Sequence, residues 1–287
     1  MSGVAPTTPP ELLRSRQGRL LSRFRPSGVL VAALSTLIVF GLLGFVIVNA
    51  PGWPRVQQSF FSPQQFAESL PDLLTALLVN IKLFVVAETL ILTFSLVLAV
   101  MRSLPGPVFF PLRLMAVIYI DLFRAIPSVL VIYLLGFGIP GLRIKGLTND
   151  PFVWGLVALV LVWSAYVAEV YRAGIEGVHP SQEAAARSLG LSRLQGLRYV
   201  VLPQAVRRVI PPLLNDFIGL QKDTALVSFI GVVEVFRQTQ LDAGGSFNFT
   251  PYLAGAAIFL VLTIPMARFV DWLAGRDRKR QLATIAR

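Results

Sequence analysis

The chain contains no cysteine and a single histidine, His179. Disulfides, thiolate metal sites and histidine-rich metal centres are therefore excluded. Charge is also scarce: 14% of the 287 residues are Asp, Glu, Lys or Arg, where soluble domains carry about a quarter. No Gly-x-x-x-x-Gly-Lys-Ser/Thr loop is present, so the chain has no phosphate cradle of its own for hydrolysing ATP. Neither a paired-carboxylate nor a Ser/His arrangement stands out as an enzyme site.

What remains is apolar. Hydrophobic residues make up 55% of the chain, and 28–49 holds no charged side chain. As a helix, such a stretch of about 33 Å covers a hydrocarbon core of about 30 Å. Alternating barrel strands are missing, so backbone polar groups must be satisfied within helices. We expect an all-α integral membrane protein with six spans at about 28–49, 72–101, 109–138, 152–175, 206–237 and 251–273. Pro211 and Pro212 are expected to interrupt the start of the fifth, and Gly219, the run Gln221–Thr224 and Gly231 to break it further into half-helices. The first span is too long for a signal-peptide core and lacks a good cleavage site, so it is expected to stay as a membrane helix.

The net charge of +11 reads as a topology signal rather than as a nucleic-acid surface. Alternate loops beginning with the N-terminus hold 17 of the Lys and Arg residues and the opposite loops hold 3, Arg55, Arg143 and Lys145. The positive-inside rule then places both termini and the 176–205 loop in the cytoplasm. The basic segment 1–27, rich in Pro and Ser, is expected to be a disordered cytoplasmic tail. The remaining divisions are an extracytoplasmic loop at 50–70, a core at 71–273 and a cytoplasmic tail at 274–287.

The 176–205 loop is the most informative stretch. Ser181 is placed to cap a helix, with Pro180 ahead of it and Glu183 in the first turn, where the helix dipole favours an acid. Ala184, Ala185 and Ala186 favour helix and keep its surface low enough for a partner to approach. Gly190 suits a left-handed C-terminal cap, after which Leu191-Ser192 starts a second short helix that Pro203 follows. The expected product is a short, capped, rigid helix outside the membrane and tied to two spans.

This pattern resembles the signature of ABC importer permeases: Glu-Ala-Ala, three residues, Gly, nine residues, Ile, one residue, Leu-Pro. Here it reads Glu183-Ala184-Ala185, Gly190, Val200 in the Ile position, then Leu202-Pro203. Flanking segments narrow the resemblance to polar amino-acid permeases: Ala165 to Ile175, Leu202-Pro203-Gln204-Ala205, Lys222-Asp223-Thr224-Ala225-Leu226, and Tyr119 to Pro127. Departures are Asp121 for Glu, Ala125-Ile126 for Gly-Thr, Ala225 for Ser and Ser181 for Gly.

The resemblance covers about 71–273 and implies a five-helix ABC importer permease core, with the 28–49 helix as an addition. It implies a bacterial cytoplasmic (inner) membrane location and a second permease chain, identical or paralogous. It implies two cytoplasmic ATPase subunits that carry ATP and Mg, and an extracytoplasmic solute-binding protein; this chain would bind no cofactor. The loop residues Ser181, Glu183, Ala184, Ala185, Gly190, Leu202 and Pro203 would couple the ATPases to the spans. A secondary transporter or channel without an ATPase partner is the alternative, and it gives this loop no role.

Ionisable residues at membrane depth cost about 2.5–3.5 kcal/mol each on insertion scales and usually face a partner or a cavity. Glu88, Arg124, Asp216, Lys222 and Asp223 are the candidates for a substrate path. For Glu88, Lys222 and Asp223 path lining and structural pairing are both open, and Arg124 also has a structural reading. Lys82, Asp121 and Glu234 are further charges within spans. Glu169 and Arg172, three apart on one helix face, read as a structural pair. Asn80, Asn215 and Gln221 are polar contacts or interhelical hydrogen bonds.

Overall fold

The computed structural model describes residues 26–285. The expected tail at 1–27 therefore lies almost wholly outside the described residues, as do 286 and 287. Among the described residues there is no strand. The chain divides into two compact units, 1–58 and 59–287.

The first unit carries α1, Pro26–Val48, and most of α2, Trp53–Phe60. The apolar stretch Leu30–Val48 is exposed throughout, as expected of a helix whose solvent is lipid.

In the second unit, α3 (Pro63–Ser103) begins at Ser62, whose hydroxyl accepts the Gln65 N–H. It continues through Pro71 for 41 residues. After a short 3₁₀ turn come α4 (Phe110–Ala125) and α5 (Ser128–Gly141). Next are α6 (Pro151–Glu176), α7 (Pro180–Ser188) and α8 (Arg193–Gly196). A π-turn at Leu197–Val201 leads into α9 (Leu202–Asp223). A 3₁₀ segment, Thr224–Ile230, precedes α10 (Val235–Ser246), and α11 (Thr250–Ile285) ends the description.

α6 is the centre of this unit and packs on α3, α4, α5 and α9. Leu83, Ala87 and Ile91 of α3 meet Ala158, Leu159 and Val162 of α6, joined by Val131, Ile132, Leu220 and Val227. Small residues set the approach distance. A Cβ on Gly174 of α6 would lie 2.2 Å from Val209 Cγ1 of α9, so these helices pack through a glycine notch, as membrane helices commonly do.

The span expectations need correction at the third and fifth segments. The third, 109–138, is not one rod: α4 and α5 meet at a bend of 102°. Ile126 precedes Pro127, which disfavours the helical region, and it sits at φ −92°, ψ 129°. The fifth, 206–237, is broken at the end of the Gln221–Thr224 run and around Gly231, as expected, but not at its prolines. α9 runs through Pro211 and Pro212 and ends only at Asp223. The Gly174–Val209 notch and the close seat of Gly219 on Trp163 flank the proline pair and hold α9 against α6. The break falls at Thr224–Glu234, around Gly231 at φ +93°. The sixth agrees with expectation: its apolar stretch is Thr250–Arg276, and the helix continues beyond it to Ile285. Among the described residues, four helical stretches are long and apolar enough to cross a membrane, or five if the bent α4–α5 pair counts as one.

Candidate functional site

The 176–205 loop forms a compact unit around α7. His179, not Ser181, is the N-cap residue: its Nδ1 accepts the Ser181 N–H at 3.2 Å and bonds the Ser181 hydroxyl at 2.8 Å. Pro180, whose missing N–H costs nothing in a first turn, therefore lies inside the helix and moves the cap back two residues. Glu183 remains in the first turn.

At the other end the Gly190 N–H donates to Arg187 O at 2.9 Å and the Leu191 N–H to Ala186 O at 3.1 Å. With Gly190 at φ +83°, these two bonds form a Schellman cap. Ser192 and Gln195 then cap α8 reciprocally: Gln195 Oε1 accepts the Ser192 N–H at 2.8 Å and Ser192 Oγ accepts the Gln195 N–H at 3.3 Å. Pro203 follows α8 by way of the π-turn and falls in the first turn of α9.

Of α7, only Ala186 is buried; Ser181, Glu183, Ala184 and Ala185 are exposed. Leu189 and Leu194 beside it are 83% and 73% exposed. The loop is anchored from behind: Arg208 donates to Gly177 O, Gln204 Nε2 donates to Gln182 Oε1 at 3.3 Å, and Val178, Val201 and Ala205 pack together. A fixed helix thus presents a low alanine face flanked by two bare leucines.

The charges within the bundle sort into two groups, with Glu169 in both. Glu169 is neutralised by neighbours: it pairs with Arg102 and, at 2.8 Å, with Arg172, which also pairs with Glu176. Asn80, Glu234 and Thr224 form a buried hydrogen-bonded set. Gln221 is also buried, and its Oε1 accepts the Thr263 hydroxyl at 3.1 Å. Lys82 lies over the Phe152 ring at 5.1 Å.

The second group borders a cavity of about 610 Å³ whose wall includes Arg124, Tyr166, Glu169, Arg208, Pro212 and Asp216. Arg124 lies over the Tyr166 ring at 5.7 Å. Asp216 Oδ2 is buried with no hydrogen-bond partner among the described residues. Half-buried Glu88 is close enough to Asp216 for the two carboxylates to repel. Of the five path candidates, Arg124 and Asp216 line the cavity and Glu88 adjoins Asp216. Lys222 and Asp223, at the end of α9, do not line it. Tyr166 was not singled out from sequence; its spacing on α6 matches ordinary core aromatics.

These features describe a multi-pass helical membrane protein with a charged open cleft and a rigid helix displayed outside the bundle. The chain belongs to the family described as binding-protein-dependent transport system inner membrane component, whose profile matches residues 92–279. It is 34% identical over 222 residues to the glutamate transport system permease protein GluC of Corynebacterium glutamicum, covering 74% of this chain and 96% of that one. It is 35% identical over 153 residues to the glutamine transport system permease protein GlnP of Escherichia coli (strain K12), covering 53% of this chain and 69% of that one. Among solved structures it matches a chain of an amino acid ABC transporter crystallised with histidines. That match has a TM-score of 0.67 and 33% identity, over 73% of this chain and 96% of the other. The chain is thus a multi-pass permease component of the cytoplasmic membrane.

Proposed function

We propose that this chain is the permease subunit of an ATP-driven importer for a polar amino acid, and that α7 couples it to a cytoplasmic ATPase. One observation carries the reading: α7 is capped at both ends, anchored through α9, and exposes Ala184, Ala185 and Leu189. A helix that must transmit force needs fixed ends and a face that a socket can approach. Residues 181–190 meet both demands.

In this reading both termini and the loop 176–205 are cytoplasmic, as their arginine content favours. Two ATPase subunits, with ATP and Mg on them, each receive one α7. A second permease chain, identical or paralogous, completes the path, and an extracytoplasmic solute-binding protein delivers substrate. Ser181, Glu183, Ala184, Ala185 and Gly190 form the coupling element, with Leu202 and Pro203 leading from it into α9. The chain itself binds no cofactor.

Asp216 and Arg124 face one cavity with opposite charges, which suits the ammonium and carboxylate of an amino acid zwitterion. The named substrates of the relatives, glutamine and glutamate, support this substrate class. Glu88 adds a second negative charge beside Asp216, and Lys222 and Asp223 lie further along the path at the end of α9.

The test is uptake of radiolabelled glutamine, glutamate, arginine and histidine by proteoliposomes holding the assembled transporter and its binding protein. Uptake of one of these that requires ATP inside the cytoplasmic compartment supports the reading. Uptake driven by an ion gradient without ATP contradicts it.

A further inference from the structure

Residues 250–267 of α11 hold no charged side chain. As a helix they cover about 27 Å, close to a hydrocarbon core of about 30 Å. Arg268 is the first charge to emerge, and the helix does not stop there: it continues without a break to Ile285. Along that continuation stand Arg268, Asp271, Arg276, Asp277, Arg278, Lys279 and Arg280. Base outweighs acid at this end, which the positive-inside rule assigns to the cytoplasm.

Helical spacing gathers the basic residues. Arg268, Trp272 and Arg276 are four apart, and Lys279 and Arg280 follow Arg276 by three and four. At about 3.6 residues per turn all five, with Phe269, fall within an arc of about 120°. Asp271, Asp277 and Arg278 fall outside it.

The described part of this stripe is bare. Phe269 and Trp272 are each 56% exposed, and their rings stack with centroids 5.9 Å apart. The Arg276 guanidinium lies over the Trp272 ring at 5.5 Å. Arg268 meets Asp271 at 3.7 Å, but both side chains are largely exposed, and such a pair holds its cation only weakly. Val270, on the other side of the helix, is buried.

Rings and cations therefore follow one another in depth. Aromatic rings settle where hydrocarbon meets headgroup, and basic side chains just beyond them meet lipid phosphate. A phospholipid carries both an acyl chain and a phosphate, so it fits the whole stripe; a soluble acidic partner would leave the rings unexplained. A neutral headgroup would leave four cations on one face without counter-charge.

We propose that the stripe Arg268, Trp272, Arg276, Lys279 and Arg280 of α11 is a binding site for an anionic phospholipid of the cytoplasmic leaflet. The lipid phosphate sits against the basic residues and its acyl chains run along Phe269 and Trp272. The inference stands apart from transport, since it uses only the helix and the bilayer.

The test reads tryptophan fluorescence from the full-length chain in phosphatidylcholine nanodiscs. The discs hold either brominated phosphatidylglycerol or, at the same mole fraction, brominated phosphatidylcholine. Bromine quenches an indole only at close range. The Trp272 signal is the part of the fluorescence that Trp272→Phe removes, a change at an exposed position. Both faces of a nanodisc carry the same lipid, so the result does not depend on which end of the chain is cytoplasmic.

Brominated phosphatidylglycerol should quench the Trp272 signal about twofold more than brominated phosphatidylcholine, because each basic residue draws anionic lipid to its neighbourhood. High salt should shrink that excess. Arg276→Gln with Lys279→Gln and Arg280→Gln should abolish it, and Arg55→Gln with Arg143→Gln, in the opposite loops, should leave it intact. Equal quenching by the two lipids in the parent overturns the proposal, as does an excess that survives the triple change. A Trp272 signal quenched by neither lipid marks a face covered by protein and overturns it as well.

Discussion

The Leu191 N–H reaches back to the Ala186 carbonyl at 3.1 Å, closing α7 over Gly190. That bond exists because Gly190 takes φ +83°, a conformation nearly free for glycine and costly for other residues. Nothing lies within 4 Å of where its Cβ would be, so the requirement is on the backbone and not on space. Gly190→Ala should therefore cost about 1 kcal/mol locally and lower uptake partially. Gly190→Pro, with φ locked near −65°, should remove the cap and abolish ATP-dependent uptake while the protein still reaches the membrane. Uptake rates normalised to membrane-inserted protein check both.

Packing of α6 on α9 gives a second prediction. Gly174→Ala would bring a methyl to 2.2 Å from Val209 Cγ1. Overpacking of this kind costs about 1–3 kcal/mol. Thermal unfolding in detergent should show a lowered midpoint for Gly174→Ala, and a second change, Val209→Ala, should recover most of it.

Among the charges that line the cavity, Asp216 and Arg124 should separate by their kinetics from Glu169, which is paired with arginines. Asp216→Asn and Arg124→Ala should each raise the KM for the transported amino acid about tenfold, the effect of losing roughly 1.4 kcal/mol of binding, with thermal stability little changed. Equal KM values in parent and variants would remove these residues from the path.

Glu169→Gln should behave in the opposite way. Glu169 pairs with Arg102 and Arg172, and its side chain is 15% exposed against their 27% and 29%. Loss of a partly solvated pair costs about 1 kcal/mol or less. The midpoint of unfolding should fall slightly and the KM should stay unchanged; transport assays beside thermal scans separate the two effects.

Helix α7 was legible in the sequence because its signal is local. The residues Glu183-Ala184-Ala185 and Gly190 stand at fixed spacing, and the glycine adopts the left-handed cap its position suggested. The structural pairing of Glu169 with Arg172 was legible for the same reason, being an i,i+3 contact.

What failed depended on tertiary packing. Hydropathy runs unbroken across Ile126-Pro127, so the 102° bend was hidden even though the proline was visible. Pro211-Pro212 looked like a break, but notches at Gly174 and Gly219 hold α9 helical around them. Asn80 and Glu234, 154 positions apart, form one hydrogen-bonded unit that no spacing rule reveals. The His179 cap was missed because histidine is not among the preferred capping residues.

The central claim is that α7 docks into a cytoplasmic ATPase. The chain has no cysteine, so Ala185→Cys introduces a single thiol on the exposed face of α7. Cross-linking it to single cysteines placed around the surface groove of the partner ATPase, in native membranes, is the direct measurement. The account predicts a disulfide-linked permease–ATPase product whose yield changes when ATP is added. No such product from any groove position, together with labelling of residue 185 by an impermeant thiol reagent from outside the cell, would contradict it.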